Sequence, residues 1–194
     1  MIPSEPGLSE SPMNLGSHDT TVEDLLVGIC LLRIPKLAEF NALNSKLTTR
    51  EFINQINEKH EMIDELVSGH AHLIARRHAD GLLAYFQTLE ETLSFSSASL
   101  SSGLNDSSAT HHRWRHLIVG VGYARLKFSA KHRQFFGFEQ DLLMEISTNL
   151  LESRRPTRFL TERAKEALIE PSGSKLNRRM LLTGGKKVNY FCHA

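Results

Sequence analysis

Apolar residues recur along the chain with two different spacings, which predict alternating strands and helices. Residues 25–34 are almost continuously aliphatic and are followed by Pro35, as expected for a strand that is covered on both faces. Thr48 and Glu51 have the spacing of a capping box, and apolar residues then return every three or four positions until Gly69. This second pattern predicts an amphipathic helix with its start and stop signals in place.

Two short segments that are predicted to be strands, residues 70–77 and 82–86, surround the dipeptide Asp80-Gly81. Asp-Gly is typical of the tight turn that joins two antiparallel strands, so a β-hairpin is predicted here. A turn role alone would explain the aspartate, because aspartate and glycine both suit such turns. A carboxylate at the tip of a hairpin is also a candidate metal ligand, and the pattern by itself leaves both interpretations open.

The rest of the chain continues the mixture of strands, hairpins and helices. A second helix is predicted from Thr88, which has Glu91 at capping-box spacing. It leads into residues 94–108, which contain eight serines and are predicted to form a mobile loop. The later elements are strands at 116–128 and 133–138, a helix at 139–152, a strand at 158–160, a small helix after Thr161, and a closing hairpin through Gly184-Gly185.

This order of elements, β-α-β-β-α-β-β-α-β-α-β-β, predicts an α+β fold. One crossover, a hairpin and another crossover form the ferredoxin-like plan, here with additions. The expected sheet is mixed and mainly antiparallel, with helices packed on it. Residues 1–20 are rich in Ser, Pro, Gly and acids and are predicted to be a flexible leader, which assigns residues 21–194 to the folded domain.

Composition and charge limit which partners, locations and metal sites are expected for this chain. The net charge of +1 over 194 residues gives no reason to expect a nucleic-acid partner. The N-terminus lacks the pattern of a signal peptide, and the longest apolar run is too short to span a bilayer and includes Arg33, so a cytoplasmic protein is expected. Cys30 and Cys192 form no disulfide framework and are predicted to be buried thiols. The ten histidines show no spacing typical of a zinc site.

Four stretches resemble, in order, motifs of the class III nucleotidyl cyclase homology domain, the domain of adenylate and guanylate cyclases. GICLLRIPKLAEF, at 28–40, is similar to the first strand that ends near D-I-x-G-F-T. RRHADGLLAYF, at 76–86, is similar to K-x-x-G-D-G-x-x-A-x-F. FFGFEQDLLMEIS, at 135–147, is similar to G-x-x-V-N-x-A-x-R, and RRMLLTGGKKVNYF, at 178–191, to the closing hairpin. The resemblance covers residues 22–193 and implies the ferredoxin-like nucleotidyl cyclase fold.

The resemblance implies a dimer with active sites at the subunit interface. In the family, one subunit supplies two aspartates that hold two divalent metals, and the metals activate the ribose 3′-hydroxyl. Here Arg33 stands at the first metal aspartate, and Asp80 matches the second. Arg76 falls at the position of the lysine that reads the base, so it is a candidate nucleotide-binding residue.

The other subunit of such a dimer supplies an asparagine and an arginine to the reacting nucleotide. Gly137 matches the glycine that precedes the catalytic helix and is a second candidate nucleotide-binding residue. Asp141 then stands at the asparagine position and Glu145 at the arginine position. Both substitutions add negative charge where a family member stabilises the departing pyrophosphate, so these two catalytic positions are degenerate.

These substitutions favour a catalytically inactive cyclase-like signalling domain. It would act through a homodimer, through a heterodimer with a cyclase-like chain, or by sensing a nucleotide, and it would need no cofactor. Arg33 is expected to pair bidentately with Asp80 in place of a metal. A divergent active cyclase remains open, with Asp80, Asp141 and Glu145 collecting Mg²⁺ or Mn²⁺ and converting ATP or GTP to a cyclic nucleotide. A plain α+β interaction module is a third alternative.

Overall fold

A computed structural model describes residues 22–34, 48–78, 80–102, 117–151, 157–168 and 176–193. The predicted order of strands and helices is confirmed throughout these ranges. The predicted leader, residues 1–20, lies outside them. The strands are β1 (Val22–Arg33), β2 (Ile74–His78), β3 (Gly81–Phe86), β4 (Ile118–Ser129), β5 (Gln134–Phe136), β6 (Thr157–Thr161), β7 (Leu176–Thr183) and β8 (Lys186–His193), and the helices are α1 (Thr49–Ser68), α2 (Leu89–Ser101), α3 (Phe138–Asn149) and α4 (Glu162–Ala167).

The described strands form one sheet in the order β2-β3-β1-β4-β6-β8-β7, with β5 paired to β4. The β4–β6 pair is parallel, and the other described pairs are antiparallel. This confirms the predicted α+β class with a mixed, mainly antiparallel sheet. β1 and β3 are interior strands of this sheet, and their inner residues are buried, which explains why these strands are nearly continuous apolar runs.

Each face of the sheet carries its own apolar core. On one face, Leu31 of β1 and Tyr85 of β3 pack with the α3 residues Leu143 and Ile146. On the other face, the core is formed by residues of β1, β3 and β4 with helix residues from α1 and α2. Full burial of one such side chain is worth about 1.5–3 kcal/mol, so these two clusters fix the helices on opposite faces of the sheet.

Helix α2 corrects the prediction of a serine-rich loop. Residues 94–101 are helical, and the side chains of Ser96 and Ser99 are buried. The Ser99 hydroxyl donates to the carbonyl of Phe95 at 2.7 Å, so it is satisfied inside the helix. Such small side chains let the helix approach the sheet closely, and a Cβ on Gly28 of β1 would lie 1.8 Å from the hydroxyl of an α2 residue, Thr92. Residues 103–108 of the predicted loop lie outside the described ranges.

Both predicted capping boxes are present. Thr48 and Glu51 cap α1, and Thr88 and Glu91 cap α2, each by reciprocal side-chain to backbone hydrogen bonds. Within the described residues, no helix is long and apolar enough to cross a membrane.

Candidate active site

The end of β1 meets the turn between β2 and β3. Arg33 is paired with Gly81, and the N–H of Ile34 donates to the Asp80 carbonyl at 2.7 Å. His78 pairs with Gly81 across the hairpin, so Asp80 is the last residue of the turn and Gly81 the first residue of β3. The predicted hairpin is therefore confirmed, but the glycine belongs to the strand and not to the turn.

Gly81 is needed for space. A Cβ at this position would lie 1.9 Å from the carbonyl oxygen of Leu32, which is far inside van der Waals contact. A side chain here would therefore force β3 away from β1. The glycine of the Asp-Gly pair brings the carboxylate of Asp80 close to the end of the neighbouring strand.

Arg33 and Asp80 form an ion pair at this junction. The Nε of Arg33 donates to Oδ2 of Asp80, and the two side chains are 16% and 20% exposed. The Nη1 of Arg33 donates to the hydroxyls of Ser147 at 3.2 Å and Thr148 at 2.8 Å, both on α3. The predicted pairing is confirmed, but the predicted bidentate geometry is wrong, because the second nitrogen is directed to the helix. One guanidinium thus joins β1, the hairpin and the end of α3.

This arrangement does not fit a pair of divalent metals. Such metals require hard anionic or neutral oxygen ligands, whereas Arg33 offers donors and a permanent positive charge. Its guanidinium also takes up one carboxylate oxygen of Asp80. In the part of the chain that the structure describes, no three His, Cys, Asp or Glu residues cluster in a way that could hold a metal ion.

Asp141 and Glu145 lie one helical turn apart on α3, as predicted. Asp141 is exposed in the first turn. Glu145 is partly buried and accepts a hydrogen bond from the Thr183 hydroxyl on β7 of the same chain. The Glu145 carboxylate therefore joins α3 to the closing hairpin, and Asp141 is the more exposed of the two acids.

The charges of Arg76 and Asp141 both act on the pKa of Tyr85. Burial raises the pKa of Tyr85, Arg76 opposes this rise, and the negative charge of Asp141 adds to it. The Tyr85 hydroxyl donates to Oε1 of Gln140 at 2.7 Å. The charges of the candidate base-reading residue on β2, which is exposed, and of the acidic residue on α3 therefore act in opposite directions on the same tyrosine.

Gly137 caps α3 directly after β5, at the position where the sequence predicts it. Its backbone is extended, with φ of 161°, so any residue could adopt this conformation. A Cβ here would lie 2.8 Å from the Cδ2 atom of Leu126, the flexible end of a side chain. The position therefore allows close packing of α3 on β4, and its predicted contact with a nucleotide stays a prediction.

Sequence reasoning missed Glu139, a buried carboxylate at the start of α3. Its side chain is 2% exposed and accepts a hydrogen bond from the Thr161 hydroxyl, which also caps α4 by accepting from the N–H of Ala164 at 3.3 Å. Burial raises the pKa of Glu139, and this rise is opposed by the Thr161 hydrogen bond and by the charge of Arg163. Helical spacing places Glu139 on the apolar face with Leu142, Leu143 and Ile146, which was the available signal.

Comparison with known proteins gives a clear fold but no close relative. No family model matches the sequence, and no curated protein is significantly similar to it. The catalytic core of a rhodopsin-guanylyl cyclase with converted specificity, solved with ATPαS, has a TM-score of 0.66 at 10% identity, covering 90% of this chain and 98% of that one. The adenylyl cyclase CyaB from P. aeruginosa has a TM-score of 0.63 at 10% identity, covering 90% and 96%.

A third similar structure is the adenylate/guanylate cyclase/hydrolase from Silicibacter pomeroyi, with a TM-score of 0.63 at 14% identity, covering 90% of this chain and 99% of that one. In each comparison the match spans nearly the whole of both chains. The α+β order, the sheet and these matches lead to one conclusion: the chain has the fold of the class III nucleotidyl cyclase catalytic domain.

Proposed function

We propose that this chain is a cyclase-like signalling domain that does not catalyse metal-dependent cyclisation of a nucleotide. The observation that carries the proposal is the ion pair between Arg33 and Asp80. In the resembled family these two positions hold the metals. In this chain the two side chains form an ion pair, and a second nitrogen of Arg33, Nη1, donates to α3.

The second half of the catalytic pattern supports the same proposal. A family member uses an asparagine and an arginine to stabilise charge in the transition state, and loss of one such donor typically costs about 2.7–4 kcal/mol of activation free energy. Here Asp141 and Glu145 stand at those positions, and Glu145 is engaged by Thr183 of its own subunit. Two acids beside a triphosphate would repel it, so neither half of a shared site suits the reaction.

The role left to such a domain is regulation through association. As a homodimer, or paired with a cyclase-like chain, it would form one side of the subunit interface without contributing a catalytic residue. A nucleotide bound there would serve as a signal and not as a substrate. The divergent active cyclase is less well supported, because Asp80 and Glu145 are both held by neighbours of their own chain. The plain interaction module would leave the extensive likeness to cyclase domains without a reason.

The test combines an activity assay with a measurement of mass. Purified chain is incubated with ATP or GTP and with Mg²⁺ or Mn²⁺, and cyclic nucleotide is measured against an Asp80→Ala variant. Light scattering after size exclusion gives the oligomeric state, and titration calorimetry gives nucleotide binding. We expect no product above the variant and a dimer in solution. Product that disappears in the variant would refute inactivity, and a monomer that binds no nucleotide would refute the homodimeric and nucleotide-sensing roles.

A further inference from the structure

Strand β7 lies at one end of the sheet. It pairs with β8 along Leu176–Thr183, and its other edge has no partner among the described strands. A free edge presents a row of backbone donors and acceptors that another extended segment can use. The opposite end of the sheet is formed by the shorter β2. Among the described strands, the longer edge without a strand partner is therefore the one at β7.

The outward side chains of β7 are unusually apolar for a free edge. Met180 and Leu182 are two positions apart and therefore lie on the same face of the strand, and they are 60% and 67% exposed. Arg178 is exposed on the same face, and Lys187 lies opposite Leu182 on β8. Proteins commonly protect an edge with charge, but here the charges flank two large apolar side chains. Such a surface suits a partner that offers both apolar groups and negative charge.

The β7–β8 hairpin carries a positive net charge. Residues 176–193 contain four basic residues and no acidic residue, although the net charge of the whole chain is only +1. Two carboxylates among the described residues contact this hairpin, and both are engaged by it, Glu145 with Thr183 and Glu162 with Asn189. Pairing with the β7 strand of a second copy would bring like charges together, which destabilises a strand pair. The complementary partner is therefore acidic and different from this hairpin.

We propose that the free edge of β7 binds an extended segment of another protein in which acidic and apolar residues are combined, by addition of a strand to the sheet. Backbone hydrogen bonds would supply affinity, and contacts to Arg178, Met180 and Leu182 would supply specificity. This proposal concerns a surface away from the Arg33–Asp80 pair and is independent of whether the domain is active.

The test uses synthetic peptides as the probe. A library of eight-residue peptides built from Glu, Val, Leu and Thr is selected for binding to the full chain. A second library with Lys in place of Glu is selected in parallel. The affinities of the selected peptides are measured by fluorescence anisotropy. The hairpin variant carries Arg178→Glu and Arg179→Glu. The matched control carries the same charge change on the exposed residues Arg125 and Lys127 of β4. A third probe is the best peptide with alternate backbone nitrogens methylated.

We expect enrichment from the acidic library alone. The hairpin variant should weaken binding about 10-fold or more, which corresponds to about 1.4 kcal/mol, while the control variant stays within about 2-fold of wild type. Methylation should abolish binding, because it removes the strand-pairing donors. Equal selection from both libraries, equal binding of the methylated peptide, or equal loss in the control would overturn the proposal. So would hairpin-dependent binding to phosphatidylserine vesicles without peptide binding, or a dimer that the hairpin variant disrupts.

Discussion

Arg33 donates from its Nε to Oδ2 of Asp80, joining the end of β1 to the turn that enters β3. By the motif resemblance, we propose that these residues stand at the positions of two metal-binding aspartates. Because arginine stays protonated at all ordinary pH values, this positive charge is permanent and needs no ion from solution. We propose that the pair holds this junction together in place of a metal.

The first prediction concerns the stability of this junction. Arg33→Ala should lower the free energy of unfolding by about 2 kcal/mol, because it leaves the mostly buried Asp80 carboxylate without its charged partner. Asp80→Asn keeps an acceptor oxygen and should cost less. Urea denaturation followed by circular dichroism measures both.

The matched control for that experiment is the ion pair between Arg77 and Asp64, whose side chains are 49% and 51% exposed. Solvent screens such a pair, so Asp64→Ala should change the free energy of unfolding by no more than about 0.5 kcal/mol. Equal losses from Arg33→Ala and Asp64→Ala would mean that the Arg33–Asp80 pair has no special structural role.

The second prediction concerns the close approach of β3 to β1. Gly81→Ala should cost about 2–3 kcal/mol, because the added Cβ would meet the Leu32 carbonyl at 1.9 Å and push the strands apart. Gly69→Ala is the control, since a Cβ there would find its nearest neighbour at 3.5 Å. Thermal unfolding of the two variants measures the difference. If both were equally stable, the strands would not be as close as described.

The third prediction concerns the buried carboxylate of Glu139. Its pKa is raised above the ordinary 4.5, chiefly by burial, so the folded state holds its proton more tightly than the unfolded state does. Its contribution to stability is therefore full below pH 4.5 and is lost as the pH rises through the folded-state pKa. Glu139→Gln should remove this loss, and the free energy of unfolding should then depend less steeply on pH above 4.5.

Urea denaturation across a pH series measures this slope, and Glu90→Gln serves as a control on the exposed surface. The control changes the net charge equally without touching the buried hydrogen bond from Thr161. An unchanged slope in Glu139→Gln would contradict the assignment of Glu139 as a carboxyl with a raised pKa.

The fourth prediction concerns the link between α3 and the closing hairpin. Thr183→Val keeps the side-chain shape but removes the hydroxyl that donates to Glu145, so amide hydrogen exchange in β7 should become about 5-fold faster, reflecting about 1 kcal/mol. Thr183→Ser keeps the donor and should exchange nearly as wild type does. Equal protection in all three chains would show that the hairpin is held without this contact.

Local signals were sufficient to predict most of the fold from sequence. The continuous apolar run of β1 and the Thr-Glu capping boxes each have a single physical interpretation, and the structure has the elements they predict. The prediction of a loop over the serine-rich part of α2 was wrong, because turn propensity was read without the burial of Ser96 and Ser99. Tertiary contacts, which a sequence pattern does not show, determine that this segment is helical.

The site was predictable only in part, for the same reason. Matching motifs put Arg33 beside Asp80, and the ion pair is present. The second donor of Arg33 was not predictable, since Ser147 and Thr148 lie 114 and 115 residues away along the chain. Glu139 was also missed, because a single acidic residue on an apolar helical face does not reveal the threonine whose hydroxyl donates a hydrogen bond to it.

Binding of Mn²⁺, followed by the electron paramagnetic resonance of the free ion, tests the central claim most directly. The titration compares the wild-type chain with Arg33→Asp, which restores a carboxylate beside Asp80, and with Asp80→Asn. The account predicts no binding by the wild-type chain and a gain of binding in Arg33→Asp, because only that variant presents two anionic ligands at the junction. Binding of Mn²⁺ by the wild-type chain that is lost in Asp80→Asn would contradict the claim that Arg33 has replaced the metal.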